Sequence, residues 1–515
     1  MKLATLLFLF VLGITSCALA QPAIPPAYGT NSNLPAKTYA AGKSFGRNDR
    51  IAGTYYFYWY DVSTKSHVID GDGTDALTTH PPTLEDFSYK SVAWHKKQLR
   101  DMMAAGIDVL LPVFWGAPSE QKGTAQLHWS YAGLPPLVQA REELVREGKQ
   151  PPFIGLFYDT STLQYNQWGQ HIDLTTDYGR RWFYATVRDF FSSIPPRHWA
   201  MIEGQPIVLL YSAAFAKKHD QSVFDFTREQ FARDFGGRVP WIAREISWQV
   251  KADSTVAWGG ALGLKNPGIA SLGPGYDHSA VPGRTPLIVD REGGKFYERN
   301  WLKFLRRPSN FVMLETWNEW HEGTDIAESK EYGRLYLDLT RKYVDLFKSG
   351  AQVPWPKGPF TGAKSVSINL GPKNQENGLR QIESGDGQTE PATVGDRTAR
   401  RLKTAPANNR YMYFQVDDSF KWAAEMNLKL ELTYYDAKPG NIWLDFDSND
   451  ETALFAGAYT RSSATVKMTG SETWKTAVFP LPNARLLNSQ NSAADFRLAT
   501  DTAELLVGKL TLIRE

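Results

Sequence analysis

Trp317-Asn318-Glu319-Trp320-His321-Glu322-Gly323 places two carboxylates three positions apart, among aromatic rings and an asparagine. Paired carboxylates cleave glycosidic bonds, one as acid and the other as base or nucleophile. On a helical turn Glu319 and Glu322 would share one side, with Cβ atoms about 5–6 Å apart. A plain helix start would also account for acids here, because they favour the positive dipole end and Asn318 is a capping type. Trp317, Trp320 and His321 have no part in such a cap. Glu319 and Glu322 are therefore expected to be catalytic, with Trp317, Asn318, Trp320 and His321 contacting substrate. Glu315, pointing the other way, reads as structural or as support for the pair.

The motif follows the apolar run Phe311–Leu314, which reads as a buried parallel strand. Barrel enzymes keep their chemistry at the C-terminal ends of such strands. Other strand ends repeat the pattern. Trp59-Tyr60-Asp61 closes the first, Trp115 the second, Tyr158-Asp159 the third and Tyr211 the fourth. Together Trp59, Tyr60, Trp115, Tyr158, Asp159 and Tyr211 are expected to wall a cup in which a sugar ring stacks and hydrogen-bonds. His80 joins them from the long loop after the first strand; His67 has weaker support. The 9 histidines are scattered without His-x-His or His-Glu-x-x-His spacing, so no metal and no cofactor is expected. No nucleophile elbow is present, and the lone cysteine lies near the start, so serine and thiol catalysis lack support.

The elements that must hold these residues alternate from Arg50 onward. Strand-like runs at 51–60, 107–115, 153–158, 206–211, 239–246, 255–258, 269–272 and 311–316 are separated by helical patterns at 91–105, 134–147, 178–193, 228–235, 295–305 and 332–347. About eight strands over about 300 residues is the pattern of a (β/α)₈ TIM barrel, with the sixth and seventh units the weakest. An open doubly wound sheet would need a Gly-rich phosphate loop after the first strand, and there is none. Beyond a Pro-rich linker the texture changes to short β runs without helices, as in an all-β sandwich of jelly-roll type. The expected division is a signal peptide at 1–20, an exposed leader at 21–47, a catalytic barrel at 48–349, a linker at 350–361 and the sandwich at 362–515.

Length and charge narrow the function classes. A chain of 515 residues exceeds what one core usually serves. A net charge of +2 gives no electrostatic reason to expect nucleic acid or an anionic membrane. Lys2, the apolar stretch to Ile14 and Ala18-Leu19-Ala20 form an export signal. Ile14-Thr15-Ser16-Cys17 also resembles a lipobox. A periplasmic, cell-surface or secreted location is expected, with lipidation at Cys17 as the one route to a membrane. The protein is expected to act as a monomer.

Trp317-Asn318-Glu319-Trp320-His321-Glu322-Gly323-Thr324 closely resembles the signature of glycoside hydrolase family 99, the endo-α-mannosidases and endo-α-mannanases. Tyr55 to Tyr60 is similar to that family's aromatic first strand, and Ala105-Gly106-Ile107-Asp108 running into Phe114-Trp115-Gly116 to its second unit. The likeness covers roughly residues 50–348. It implies a (β/α)₈ barrel that hydrolyses internal bonds of an α-mannan-like or other 1,2-trans polysaccharide or oligosaccharide with retention. It also implies that Glu319 deprotonates the substrate's own 2-hydroxyl, which attacks the anomeric carbon, while Glu322 is general acid and then base. Asp61, where that family has a small residue, departs from the pattern. A glycosidase of other specificity, for example on α-glucan, is the alternative among enzymes. A non-catalytic surface glycan-binding protein is the alternative among binders. The sandwich is expected to bind sugar or to pack on the barrel.

Overall fold

A computed structural model describes residues 23–118, 128–283, 287–354, 357–383, 385–404, 409–421, 425–450 and 452–515. The signal segment and Cys17 lie outside the described residues.

Eight parallel strands form the first body: β1 (Ile51–Tyr56), β2 (Val109–Phe114), β3 (Leu156–Tyr158), β4 (Gln205–Leu210), β5 (Trp241–Glu245), β6 (Ser254–Val256), β7 (Ala270–Leu272) and β8 (Phe311–Leu314). They pair in chain order from β1 to β6, and β7 pairs β8, which pairs β1. Between β6 and β7 a backbone hydrogen bond runs from Ile269 N to Thr255 O at 2.8 Å. Both faces of β1, β2 and β8 are buried, which is why their sequences are continuous apolar runs and not alternating ones.

Among the described residues, six α-helices of 12 or more residues connect or close these strands: α1 (Val92–Ala105), α2 (Leu134–Arg146), α3 (Asp177–Ser193), α4 (Ser222–Asp234), α5 (Lys295–Arg306) and α6 (Leu335–Ser349). Their ends follow local chemistry. Ser91 accepts from Trp94 N at the start of α1, and Gly106 ends it at φ 81°, a conformation that costs a side chain. Helix α4 begins six residues before the expected Arg228, because Val223 and Phe224 extend its buried face.

No α-helix separates β5 from β6 or β6 from β7. The C-terminal part covers that flank instead. Ile246 and Ala257 share a buried cluster with Ile382, Tyr413, Ala456, Ala458, Tyr459 and Ala494. Lys303 of α5 forms an ion pair with Asp418. From Ser365 to Arg514 the chain builds two antiparallel sheets over a common core that includes Ile368, Phe414, Leu430, Leu444, Phe479 and Leu512. This is a sandwich.

The stretch before β1 is not the exposed leader expected from its Pro, Ala and Asn content. Lys43–Phe45 pairs in parallel with Ala200–Ile202. Tyr39 is fully buried, its ring 5.5 Å from that of Trp199. Two buried aromatics, Tyr39 and Phe45, anchor a segment that has no apolar periodicity to read.

Candidate active site

The Glu319–Glu322 loop is built by a hydrogen-bonded bracket between β8 and the chain leaving β1. The side chain of Asn318 accepts from Phe57 N at 2.8 Å and donates to Phe57 O at 2.7 Å, as a strand partner would. Tyr60 Oη donates to Asn318 O at 3.1 Å and accepts from Trp320 N at 3.2 Å. Thr316 N donates to Thr324 O at 2.9 Å, which turns the chain back, and Glu319 N donates to Thr316 Oγ1 at 2.8 Å. Trp320 to Gly323 is therefore a turn and not the helical turn expected from the spacing. Asn318, the expected cap and substrate contact, is fully buried and committed to Phe57. Gly323 closes the turn at φ 52°.

Several residues expected to wall the cup or contact substrate are engaged by other parts of the protein. Trp317 donates from Nε1 to Gln98 of α1 at 2.7 Å. Trp320 packs between Tyr60 and Phe87, ring centroids 5.2 and 5.4 Å away, and all three are fully buried. Tyr158 turns outward onto Phe183 of α3, at 5.0 Å, because residues of β3 alternate and Phe157 takes the inner face. His80 is held by Asp75 at 3.0 Å and Glu331 at 2.7 Å, and it latches the loop after β1 to the segment before α6. Trp59 is buried, with the His67 ring stacked on it at 4.7 Å. Asp61 is fully buried and paired with Lys90 at 2.8 Å, so the departure at this position serves the loop.

The remaining predicted residues do come together. His321 stacks at 5.6 Å from Trp59, and Trp115 meets the same ring edge-on at 5.4 Å. Trp115 Nε1 donates to Asp159. His321 Nδ1 lies 3.6 Å from Glu319 Oε1. Glu319 is 4% exposed, whereas Glu322 is half-buried. Across from them stands a second aromatic group, centred on Trp258. Its ring stacks on Phe157 at 5.5 Å and meets Tyr55 at 5.0 Å and Tyr211 at 5.2 Å. Trp258, Phe157, Tyr55 and Trp129, whose ring lies 5.8 Å from that of Trp59, do not stand out in the sequence, and His67 has only weak support there. Trp258 and His67 sit in loops without periodicity, and the first two strand aromatics were indistinguishable from core.

Charges in this region are tuned mainly by burial. Burial lowers His67 to about 4, with the neighbouring His321 adding to the effect, and it also lowers His321. His321 Nε2 lies 2.7 Å from the carbonyl of His67, so that nitrogen carries the proton and Nδ1 offers its lone pair toward Glu319. Burial raises Asp159, against the Ser161 and Trp115 donors that favour its charge. Tyr211 is raised by burial and then by the charges of Asp159, Glu322, Glu245 and Glu315, which share its surroundings. Burial raises Glu315 to about 7, although Ser271, Lys265 and two backbone N–H groups act against it. A cavity of about 1220 Å³ opens elsewhere, among Arg50, Asp108, Arg141 and His198. It adjoins the N-terminal ends of the strands, the end that barrels use for stability.

The family described as "Domain of unknown function (DUF5010)" matches residues 37–357. Glycoprotein endo-alpha-1,2-mannosidase of Mus musculus is 34% identical over 94 residues, 15% of this chain and 20% of that protein. A glycoprotein endo-alpha-1,2-mannosidase-like protein of Homo sapiens is 36% identical over 94 residues, 15% of this chain and 21% of that one. The chain thus spans about a fifth of the length of these curated relatives. Among solved structures, the GH99 endo-alpha-mannosidase of Bacteroides thetaiotaomicron aligns with 59% of this chain and 98% of its own, at 18% identity and a TM-score of 0.43. The curated relatives thus bear the name of the enzymes whose signature residues 317–324 resemble.

Proposed function

The chain belongs to the DUF5010 family, and from that premise we propose that it is a retaining endo-glycosidase acting on an α-mannan-like or other 1,2-trans polysaccharide. The observation that carries this reading is the pinned loop after β8. It presents Glu319 beside His321, whose ring stacks on Trp59, with Glu322 in the electrostatic surroundings of Tyr211. We take the eight parallel strands as a (β/α)₈ barrel closed across β6 and β7, and residues 48–349 as the catalytic unit. The leading segment would direct export.

In this mechanism Glu319 takes the proton of the substrate's 2-hydroxyl as that oxygen attacks the anomeric carbon. The glycosidic C–O bond breaks, and Glu322 gives its proton to the leaving oxygen. Water then opens the 1,2-anhydro ring. Glu322 takes the water proton and Glu319 returns its own to the 2-oxygen. The attack is intramolecular, so it avoids most of the entropic cost of bringing a nucleophile to the carbon. The Thr316 hydroxyl, which accepts from Glu319 N at 2.8 Å, fixes the backbone that carries the base.

The test is dependence on the 2-hydroxyl. An α-mannan oligosaccharide should be cleaved, and the same compound with a 2-O-methyl group at the scissile sugar should bind without turnover. Cleavage of the methylated form, or a glycosyl adduct on either glutamate with a 2-deoxy-2-fluoro donor, would exclude this route.

A further inference from the structure

The aromatic group around Trp258 does not stop inside the site. From Trp258 the rings continue to Tyr211 at 5.2 Å, from Tyr211 to Phe215 at 5.9 Å in a stacked pair, and from Phe215 to Tyr165 at 5.9 Å. Exposure rises along this path. Trp258, Tyr211 and Phe215 are half-buried, whereas Tyr165 is 63% exposed. Trp168, in the same loop as Tyr165, is 49% exposed. Large rings left in water and contiguous with a buried site mark a ligand-binding surface.

The two loops that carry these rings are braced against each other. Lys217 N donates to Ile172 O and Leu174 N to Lys218 O, both at 2.9 Å, and Asp173 and Lys218 form a parallel bridge. Thr160 Oγ1 donates to Ser212 O at 2.6 Å. The loop after β3 and the loop after β4 thus form one platform whose outer surface is aromatic. A braced chain of partly exposed rings, stacked at Tyr211–Phe215 and edge-on at Phe215–Tyr165, offers apolar surface to the C–H faces of pyranose rings, whose hydroxyls stay in water.

We propose that Tyr165, Trp168 and Phe215 form a distal ledge that binds the neutral polysaccharide chain away from the bond being cut. Its occupant is the part of the glycan that leaves the carboxylate site past Tyr211. This rests on the glycosidase reading above, and it explains how an endo-acting enzyme would favour long chains. Tyr165 and Trp168 lie at the surface and apart from the carboxylates, so their replacement leaves the fold and the chemistry intact.

The experiment uses the full chain and α-mannan probes. Activity is measured on manno-oligosaccharides of graded length, and retention is measured by electrophoresis through gels containing soluble α-mannan. The double variant Tyr165→Ala/Trp168→Ala should lose about tenfold in kcat/KM on the longest oligosaccharides, keep its activity on the shortest, and migrate without retardation. Equal loss at every length, or unchanged activity on long chains, overturns the ledge. So does a wild-type protein that the mannan gel does not retard. Retardation of the wild type that the double variant loses, without hydrolysis of any probe, supports the ledge and removes the glycosidase reading instead.

Discussion

Replacing Asn318 by alanine should damage both stability and turnover, although the side chain touches no substrate. The variant loses the 2.8 and 2.7 Å hydrogen bonds that occupy Phe57 N and Phe57 O. Both groups would be left without a partner in a region where Asn318 itself is fully buried. Each orphaned buried group costs about 1–3 kcal/mol, so the pair predicts a loss of roughly 2–6 kcal/mol. Turnover should fall with it. The bracket sets the loop one residue before Glu319, and a displacement of about 1 Å at a reacting group can cost about 10²-fold in rate. Asn318→Asp separates the two contacts. It keeps the acceptor for Phe57 N but sets a carboxylate oxygen against Phe57 O, so it should be no better than alanine at neutral pH and recover on acidification. Urea unfolding followed by fluorescence gives the stability, and steady-state kinetics give the split between kcat and KM. An alanine variant within about 0.5 kcal/mol of wild type and with unchanged kcat would refute the bracket.

Glu319→Gln and Glu322→Gln should each lower kcat by about 10²–10⁴-fold with circular dichroism unchanged, because the amide keeps the shape and removes proton transfer; near-normal turnover in either would end the assignment. A chain cut after Ser349 should be insoluble or partly unfolded on expression, since Ile246 and Ala257 lose the cover of Tyr413 and Tyr459 and Lys303 loses Asp418; a soluble, cooperative product would show that the sandwich is an independent module. Glu315 predicts a pH dependence. Its folded pKa of about 7 lies above the ordinary 4.5, so the folded state holds the proton longer and stability falls as pH rises from about 4.5 to 7, by up to roughly 3 kcal/mol. Unfolding curves across that window should show the decline, and Glu315→Gln should flatten it; a slope unchanged in the variant would place its origin elsewhere.

Much of the site was legible because it sits at strand ends. Trp115, Asp159, Tyr211 and His321 follow β2, β3, β4 and β8, and the parallel pairing brings those ends to one side of the sheet. Tyr158 shows the limit of that reasoning. It shares a strand end with Asp159 but faces α3, because the alternation along β3 gives the inner face to Phe157. Local chemistry offers the Asn318 side chain two roles, a substrate contact or a helix cap. Its partner, Phe57, lies far away in sequence, and only the pairing of β8 with β1 makes the contact.

The sequence by itself determined the periodic elements, the order of strands and helices, and the pair of carboxylates in an aromatic setting, because these depend on residue types at short spacing. Tertiary structure decided which rings face the site, which support it, and what covers the helix-poor flank at β5 to β7. Those outcomes depend on contacts between distant segments. His67 reaches Trp59 and His321 from a loop, and Trp258 reaches Tyr211 across the top of the sheet. Nothing in the local pattern of either segment encodes its partner; burial of the shared surface selects it.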